Sequence, residues 1–528
     1  MHPHMPEHYV RLPPITAPLA AAFAVLYLLY MLWQNGLSKK GLLSLPPGPA
    51  GIPLLGNIPD IVRESKKGQQ HLLIQQWARK YGDVFKVQIG RHTEYYLNSD
   101  RAVKELLDRS SAQTSQRPRW IHQRRVIHSG VTSVAQADAG LPFLHYETAK
   151  FVHQIANNPS WGQSPAKIWS SLGRYTYSTF ASQIFGMEIP KSDDPVIAYI
   201  HETGLAQIKG TLPGMYIVDT ITLLDRLPLY LKPWESDARA RFQRDWDWCM
   251  EKLERVKRQE SREDSNFRPS FLRMVVDDEK HLGFQTVEEA AYLSLMVLLG
   301  AADTSQMSTW SFMEAMIMFP DVKKKAQSEI DRVVNDRLPV FSDIEQIPYV
   351  RCLMKELWRW RPPVALGHPH ITTRDLEYRG YRIPKGASLH LNAWAIGHDP
   401  ARHEDPERFW PERYMHDKTT TMQSINSSDV STRDHFAFGA GRRICLGYNV
   451  AERSLAVSIM RLLWSFDITP IPGTPLPLDP SSYPSMIPGN PGVDLPVTLT
   501  VRSAEKKAII DRDYEEQCKM RPQMESLG

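Results

Sequence analysis

Cysteine is scarce in this chain: there are four in 528 residues, at positions 249, 352, 445 and 518. No two form a C-x-x-C pair, which excludes a disulfide-stapled scaffold and a cysteine zinc site. Such usage fits a reducing compartment. No charge of one sign dominates either. The 63 basic residues nearly balance the 59 acidic ones, and the formal net charge is +4. That leaves no strongly basic surface for nucleic acid. There is no G-x-G-x-x-G fingerprint, so the chain brings no dinucleotide domain of its own. No Gly/Ser linker and no repeat interrupts residues 70 to 500, which read as one large domain. What is present is globular: 42% apolar residues and 23% charged ones.

The N-terminus is different. Ile15 to Trp33 is a charge-free apolar run followed by Lys39 and Lys40. It is long enough to cross a bilayer as a helix. The lysines outweigh Arg11 on the other side, which places the body in the cytosol. No basic n-region or small-residue cleavage site marks a signal peptide. Next comes Leu45-Pro-Pro-Gly-Pro-Ala-Gly-Ile-Pro-Leu-Leu-Gly-Asn57, whose prolines stiffen an extended strap. The resulting division is an anchor at 1–38, a proline-rich hinge at 39–62, a catalytic body at 63–503 and a charged tail at 504–528. The tail reads as solvated.

The body is mainly α with a smaller β region. Helical patterns cover His71–Tyr81, Asp100–Arg109, Ser164–Gly186, Ala238–Arg262, Thr286–Phe319, Val322–Val334 and Ile344–Trp360. Ser164-Pro165 reads as an N-cap with proline at the first helical position. Thr286-x-x-Glu289 is a capping box, and Pro320 stops that helix. Strand patterns lie around Val84–Leu97 and Leu376–Leu391. The polar stretch Asp417–Arg433 reads as a surface loop.

The most specific stretch is Phe438-Gly-Ala-Gly441-Arg-Arg443-Ile-Cys445-Leu-Gly447, just ahead of a helical pattern at Asn449. A thiolate before a helix N-terminus is favoured by backbone N–H groups and the helix dipole. Glycines let the backbone pass close to a flat ligand, and Arg443 can neutralise a carboxylate. Haem meets both needs, with an iron that takes a thiolate and propionates that take arginines. A lone buried cysteine in a glycine loop is the ordinary alternative. Against it stands the full pattern Phe-x-x-Gly-x-Arg-x-Cys-x-Gly, which resembles the haem-binding loop of the cytochrome P-450 family.

Three further motifs follow in the family's order. Gly300-Ala301-Ala302-Asp303-Thr304 lies in the longest helix and resembles the oxygen-binding groove. The resemblance gives Asp303 and Thr304 the role of passing protons to bound dioxygen. Ala301 stands where glycine is usual, which tightens the groove. Thr304 can also bond a carbonyl one turn back and open the helix locally. Glu356-Leu-Trp-Arg359 puts both charges on one helix face. With Arg413 it resembles the Glu–Arg–Arg network that supports haem incorporation. Arg408 is a rival third member, but the spacing Phe409-x-Pro411 favours Arg413. Trp120 and Arg124 resemble the helix that holds a propionate, with Ile121 in place of the usual first arginine. His370 is a further propionate candidate. Tyr483 to Pro488 is expected to enter the pocket above the ring.

The fold implied is a single haem-thiolate domain behind a transmembrane helix. The function implied is oxidation of an apolar small molecule, in the manner of fungal microsomal secondary-metabolism members. Cys445 would be the axial ligand of haem b. Electrons would come from a separate NADPH-cytochrome P-450 reductase, with cytochrome b5 as an optional second donor. The location implied is the endoplasmic reticulum membrane, single-pass, facing the cytosol. Isomerisation, dehydration or desaturation on the same haem stays open. One departure bears on activity. Ser115-Gln-Arg-Pro-Arg-Trp120 runs almost directly between two helices where the family has a longer lid. A truly short lid and a segment lost from the gene model both fit. The first would allow a haem protein with impaired turnover.

Overall fold

The computed structural model describes residues 43 to 527, apart from 54, 68, 91, 116–117, 212–215, 217, 219–221, 259–267, 477, 479–494 and 522–523. The expected anchor at Ile15–Trp33 and the pocket turn at Tyr483 to Pro488 lie outside the described residues. Among the described residues no helix is long and apolar enough to cross a membrane.

The longer helices are α1 (Gln70–Tyr81), α2 (Pro118–Ile127), α3 (Leu141–Asn157), α4 (Pro165–Phe185), α5 (Pro195–Thr211), α6 (Pro233–Arg258), α7 (Val287–Met318), α8 (Pro320–Val333), α9 (Pro348–Trp360), α10 (Tyr448–Ser465) and α11 (Ala504–Met520). Their ends follow the predicted signals. Ser164 caps α4 by accepting from the Lys167 N–H at 3.4 Å, and Gly186 closes it at φ +69°. Thr286 caps α7 by accepting from the Glu289 N–H at 3.2 Å. Phe319 leaves the helical region because a residue before proline is pushed toward extended backbone, and Pro320 then starts α8. Pro348 splits the predicted Ile344–Trp360 helix into a 3₁₀ turn, Phe341–Gln346, and α9 for the same reason.

Helix α7 is the axis of the fold. It packs on α4, α6 and α10, and nearly all of its C-terminal half is buried. A helix covered on every side shows no polar stripe, and it serves as the wall others pack against. Helix α3 was not legible in the sequence for the same reason. It is buried around most of its circumference, including Glu147 and Lys150.

The β region is a four-stranded sheet in the order β1-β2-β7-β4, from Val84–Ile89, His92–Leu97, Ser388–Leu391 and His370–Ile371. β2 runs parallel to β7, and the other two pairings are antiparallel. Strands β5 (Leu376–Tyr378) and β6 (Tyr381–Ile383) form a hairpin, as do β8 (Phe466–Pro470) and β9 (Val497–Val501). The described part of the hinge lies along this region. The Pro47 carbonyl accepts from the Lys86 N–H at 2.8 Å, and the Ser44 carbonyl from Arg382 at 2.9 Å. A side chain at Gly48 would collide with the Lys86 carbonyl, so glycine permits that approach.

The C-terminal segment corrects one expectation. Residues 504–528 are not a solvated tail. Ser503 caps α11, which packs on α3. Ile510 is fully buried in the main core, and Tyr514 stacks on His153 at 4.3 Å. Beyond α11, Arg521 pairs with Glu188 at 2.7 Å. Residues Glu525–Ser526 (β10) pair in parallel with Met187–Glu188 (β3). Leu527 is buried in the second core, among residues of α4, α6 and α7. The dense charge of this segment hid a narrow apolar stripe at Ile510 and Tyr514, one turn apart.

Burying leucine contributes about 1.5–3 kcal/mol. Leu527→Asp is therefore expected to lower the unfolding free energy by at least that much and to bring the denaturant midpoint down with it. Lys519→Ala, on the exposed side of α11, should stay within about 0.5 kcal/mol of the parent. Chemical denaturation followed by tryptophan fluorescence checks both, and an unchanged midpoint for Leu527→Asp would show that the terminus is not part of the core.

Candidate active site

The loop before α10 is held from three directions. The Cys445 N–H donates to the Phe438 carbonyl at 2.8 Å, closing the loop on itself. The Phe438 ring meets Trp358 of α9 edge-on, with centroids 4.9 Å apart. The Gly441 N–H donates to Asp108 Oδ1 at 2.9 Å, while Asp108 Oδ2 pairs with Arg433 at 2.6 Å. Asp108 sits in a short π-helical turn, Lys104–Arg109, that continues the helix starting at Asp100. Gly441 has φ +63°, and a Cβ there would lie 2.1 Å from the Leu107 carbonyl. Both the backbone twist and the close approach require glycine.

Cys445 is exposed on the far side of this loop. Protein crowds its sulfur from the loop side, and that burial pushes the thiol up; the Gly447 N–H, donating at 3.3 Å, and the Arg124 charge pull it down.

A group of donors gathers beside the loop. Arg124, from α2, donates through Nη2 to the Ile444 carbonyl. Arg443 donates through Nη1 to the Pro369 carbonyl at 2.9 Å. Burial lowers the Arg124 pKa, and the Arg443 charge lowers it further. His370, in β4, is brought to about 4 by burial and then by Arg443, so its ring is neutral near pH 7. Its Nδ1 is buried without a partner among the described residues. Ser115 Oγ is another such orphan; it neighbours Thr114, whose backbone meets the His370 ring. Two guanidiniums near a cysteine form a cationic donor set for a ligand with an iron and carboxylates, and the His370 ring lies beside one of them. The residues present thus fit haem. Trp120 lies in α2 one turn before Arg124.

Asp303 and Thr304 lie on α7, which packs against α10. Thr304 Oγ1 donates to the Gly300 carbonyl at 2.9 Å. The helix does not open there, because this bond shares a carbonyl already in the ladder and leaves the ladder intact. Gly300 is exposed and faces open space. The Asp303 carboxylate turns away toward α4 and α5, where Tyr177 Oη donates to Oδ1 and His201 Nδ1 lies 3.9 Å from the same oxygen.

The structural network is dry. Glu356 Oε2 accepts from Arg359 Nε at 2.7 Å and from Arg413 Nε at 3.1 Å. Oε1 accepts from Arg359 Nη2 at 2.8 Å and from the Trp410 N–H at 2.7 Å. Arg359 also donates to the Gly397 and Pro406 carbonyls. Arg413, rather than Arg408, meets Glu356. The Arg408 guanidinium lies over Trp410, and its carbonyl accepts from Arg359.

Sequence reading missed Asp108, Trp358, Tyr177 and His201. Trp358 meets Phe438 across 80 residues and the others act across more than a hundred, so no local pattern signals their partners.

Along most of its length the chain resembles known proteins. The sequence profile described as cytochrome P450 matches residues 46–119 and 111–492. The two matched stretches meet at the segment before Trp120, where the family's lid would lie. A cytochrome P450 monooxygenase of Gibberella fujikuroi is 53% identical over 537 aligned positions, covering 96% of this chain and 98% of that protein. Those positions outnumber this chain's 528 residues, so the relative has residues without a counterpart here. Cytochrome P450 monooxygenase virE of Hypocrea virens is 34% identical over 84% of this chain and 82% of its own length. Cytochrome P450 monooxygenase fsoB of Humicola fuscoatra is 32% identical over 80% and 81%.

Gly441→Ala is expected to leave most of the purified protein without haem. The left-handed backbone alone costs about 1–2 kcal/mol in a non-glycine residue, before the clash with Leu107. Gly447→Ala should lose less haem than Gly441→Ala, because among protein atoms a Cβ there meets only Cys445 Sγ, at an ordinary 3.6 Å. The ratio of haem to protein absorbance in the two variants reads the difference directly.

Proposed function

The chain belongs to the cytochrome P450 family and is a monooxygenase, and from that premise we propose that it binds haem b through Cys445 and oxidises an apolar small molecule. One observation carries the reading: Cys445 lies beside Arg124, which neighbours Arg443, which in turn neighbours His370. When bound, the haem supplies reductive activation of dioxygen. The protein's share would be to hold and orient. Cys445 would hold the iron. Arg124, Arg443, His370 and Trp120 would meet the propionates. Phe438, Gly441 and Gly447 would shape the loop that carries the cysteine. Thr304 and Asp303 would hold and move protons. The open space at Gly300 would receive substrate.

Electrons come from a separate NADPH-cytochrome P450 reductase, with cytochrome b5 as a second donor. They enter on the Cys445 face, where Arg442 is exposed and can meet an acidic partner. The substrate class is that of fungal secondary metabolites. The location is the endoplasmic reticulum membrane, through Ile15–Trp33. Support for the anchor is the charge-free run with lysines after it.

A second reading draws on the short segment before Trp120. A lid excludes water and holds a substrate near its reacting pose. With little chain there, the protein would bind haem and consume NADPH with poor yield of product.

The reduced, carbon-monoxide-bound protein should show the thiolate-haem absorbance band, and Cys445→Ala should lose it. Retention of the band in that variant would sink the ligand assignment. Product counted per NADPH in the parent then separates efficient oxidation from the second reading.

Deleting residues 1–38 should move much of the protein from the membrane pellet to the supernatant with its haem intact. A full-length chain that is already soluble without detergent would refute the anchor.

A further inference from the structure

Helices α5 and α6 leave the body of the protein and return to it as one excursion. The chain departs just after β3, with Pro195 starting α5, and comes back along α6. The two helices hold each other. Tyr199 of α5 stacks on Trp248 of α6 with centroids 5.4 Å apart, and its hydroxyl donates to Asp245 Oδ1 at 2.9 Å. Arg244 Nη2 donates to Thr203 Oγ1 at 3.0 Å. The buried residues of α6 all lie at Asp245 or beyond, while Ser236 to Ala240 are exposed. On its inner side α5 borders the opening on α7. A Cβ at Gly204 would stand 2.9 Å from Asp303 Oδ2 and 3.5 Å from the Leu299 side chain, next to the open space at Gly300.

The C-terminal residues meet both ends of this excursion. At its start, Glu525 lies opposite Met187 and Ser526 opposite Glu188. The Leu527 N–H donates to the Glu188 carbonyl at 2.7 Å. At its end, Arg255 of α6 donates through Nη2 to the Ser526 carbonyl. Leu527 is buried in the same core as Cys249, Leu253 and Val256 of α6. Arg521 ties the group to α3 by donating to Tyr146 Oη at 3.0 Å while pairing with Glu188. A hinged unit swings by changing the backbone at its few joining residues. A segment bonded to both joints at once resists that change.

We propose that Arg521 and residues 525–527 form a latch on the α5–α6 pair. Docked, they hold α5 against α7 and keep the opening beside Gly300 narrow. Released, they let the pair swing outward and admit substrate. The effect on access rests on the reading of that opening as the place that receives substrate; the hold on α5 does not. The fastening is light enough to release, because losing the burial of one leucine shifts an opening equilibrium by roughly tenfold or more.

The test uses the full-length haem protein and three altered forms. Two loosen the latch: Arg255→Gln with Arg521→Gln, and a chain ending at Met520. The third, Glu188→Cys with Ser526→Cys, closes it with a disulfide between residues that already face each other in the pairing. Amide hydrogen exchange read by mass spectrometry needs no ligand. In the loosened forms, exchange across Ile200–Leu205 should quicken roughly tenfold, while α9 exchanges as in the parent. Unchanged exchange in α5 overturns the latch. Equal quickening in α5 and α9 also overturns it, because the terminus would then serve global stability alone. If the shortened chain does not fold, the arginine pair and the disulfide pair decide.

Access is read with 1-phenylimidazole, a bulky ligand for the haem iron, from the rate of its absorbance change. Entry should quicken severalfold in the loosened forms. It should slow in the disulfide form and recover when a thiol reductant cuts the bond. Cyanide, which needs little room, should enter all forms alike; equal changes for cyanide would indicate a disturbed haem and overturn the access role. If α5 loosens and phenylimidazole entry stays the same, the latch holds α5 but the opening at Gly300 is not the entrance.

Discussion

Glu356 is the point on which the site's support turns. Its carboxylate is wholly buried, and both oxygens are filled by two guanidiniums and a backbone N–H. A buried charge pair of this kind need not add net stability, because desolvation offsets its attraction. What it provides is specificity. Arg359 reaches the carbonyls of Gly397 and Pro406, and Arg413 those of Glu404 and Asp405. An irregular crossing segment is thereby tied to α9 at several points. Removing any one arm leaves charge in a dry place, so the segment has one geometry.

The same helix carries that order to the cysteine loop. Trp358, next to the network on α9, supports both His435 and Phe438. From the opposite side, Asp108 grips the Gly441 N–H and Arg433. The loop is thus clamped between α9 and the turn after Asp100. Its sulfur is left at the exposed edge beside Arg124. The acid and the alcohol on α7 divide their directions. Thr304 stays with its own helix, while Asp303 reaches toward α4 and α5.

The C-terminal segment extends this economy of contacts. Helix α11 and strand β10 fasten α3, β3 and the second core together, ending with a leucine inside the protein. The terminus is therefore structural, and the dense surface charge of α11 is the solvated face of a docked helix.

The sequence by itself determined the local and the contiguous. The ten-residue cysteine loop, the caps of α4 and α7, the proline break before α8 and the i, i+3 pairing of Glu356 with Arg359 all depend on neighbours in the chain. The family resemblance, with the spacing Phe409-x-Pro411, also picked Arg413 over Arg408 as the partner of Glu356. Short-range chemistry repeats wherever the pattern recurs, so it can be read without a fold. Tertiary structure decided the rest. Asp108 reaches Gly441 across 333 residues, and Tyr177 reaches Asp303 across 126. No periodicity marks either partner. The charge of α11 concealed its burial, because a narrow apolar stripe gains meaning only against the surface it meets. Whether Cys445 is held as a thiolate was likewise beyond sequence. It depends on how much water the surrounding chain removes, and that is a property of packing.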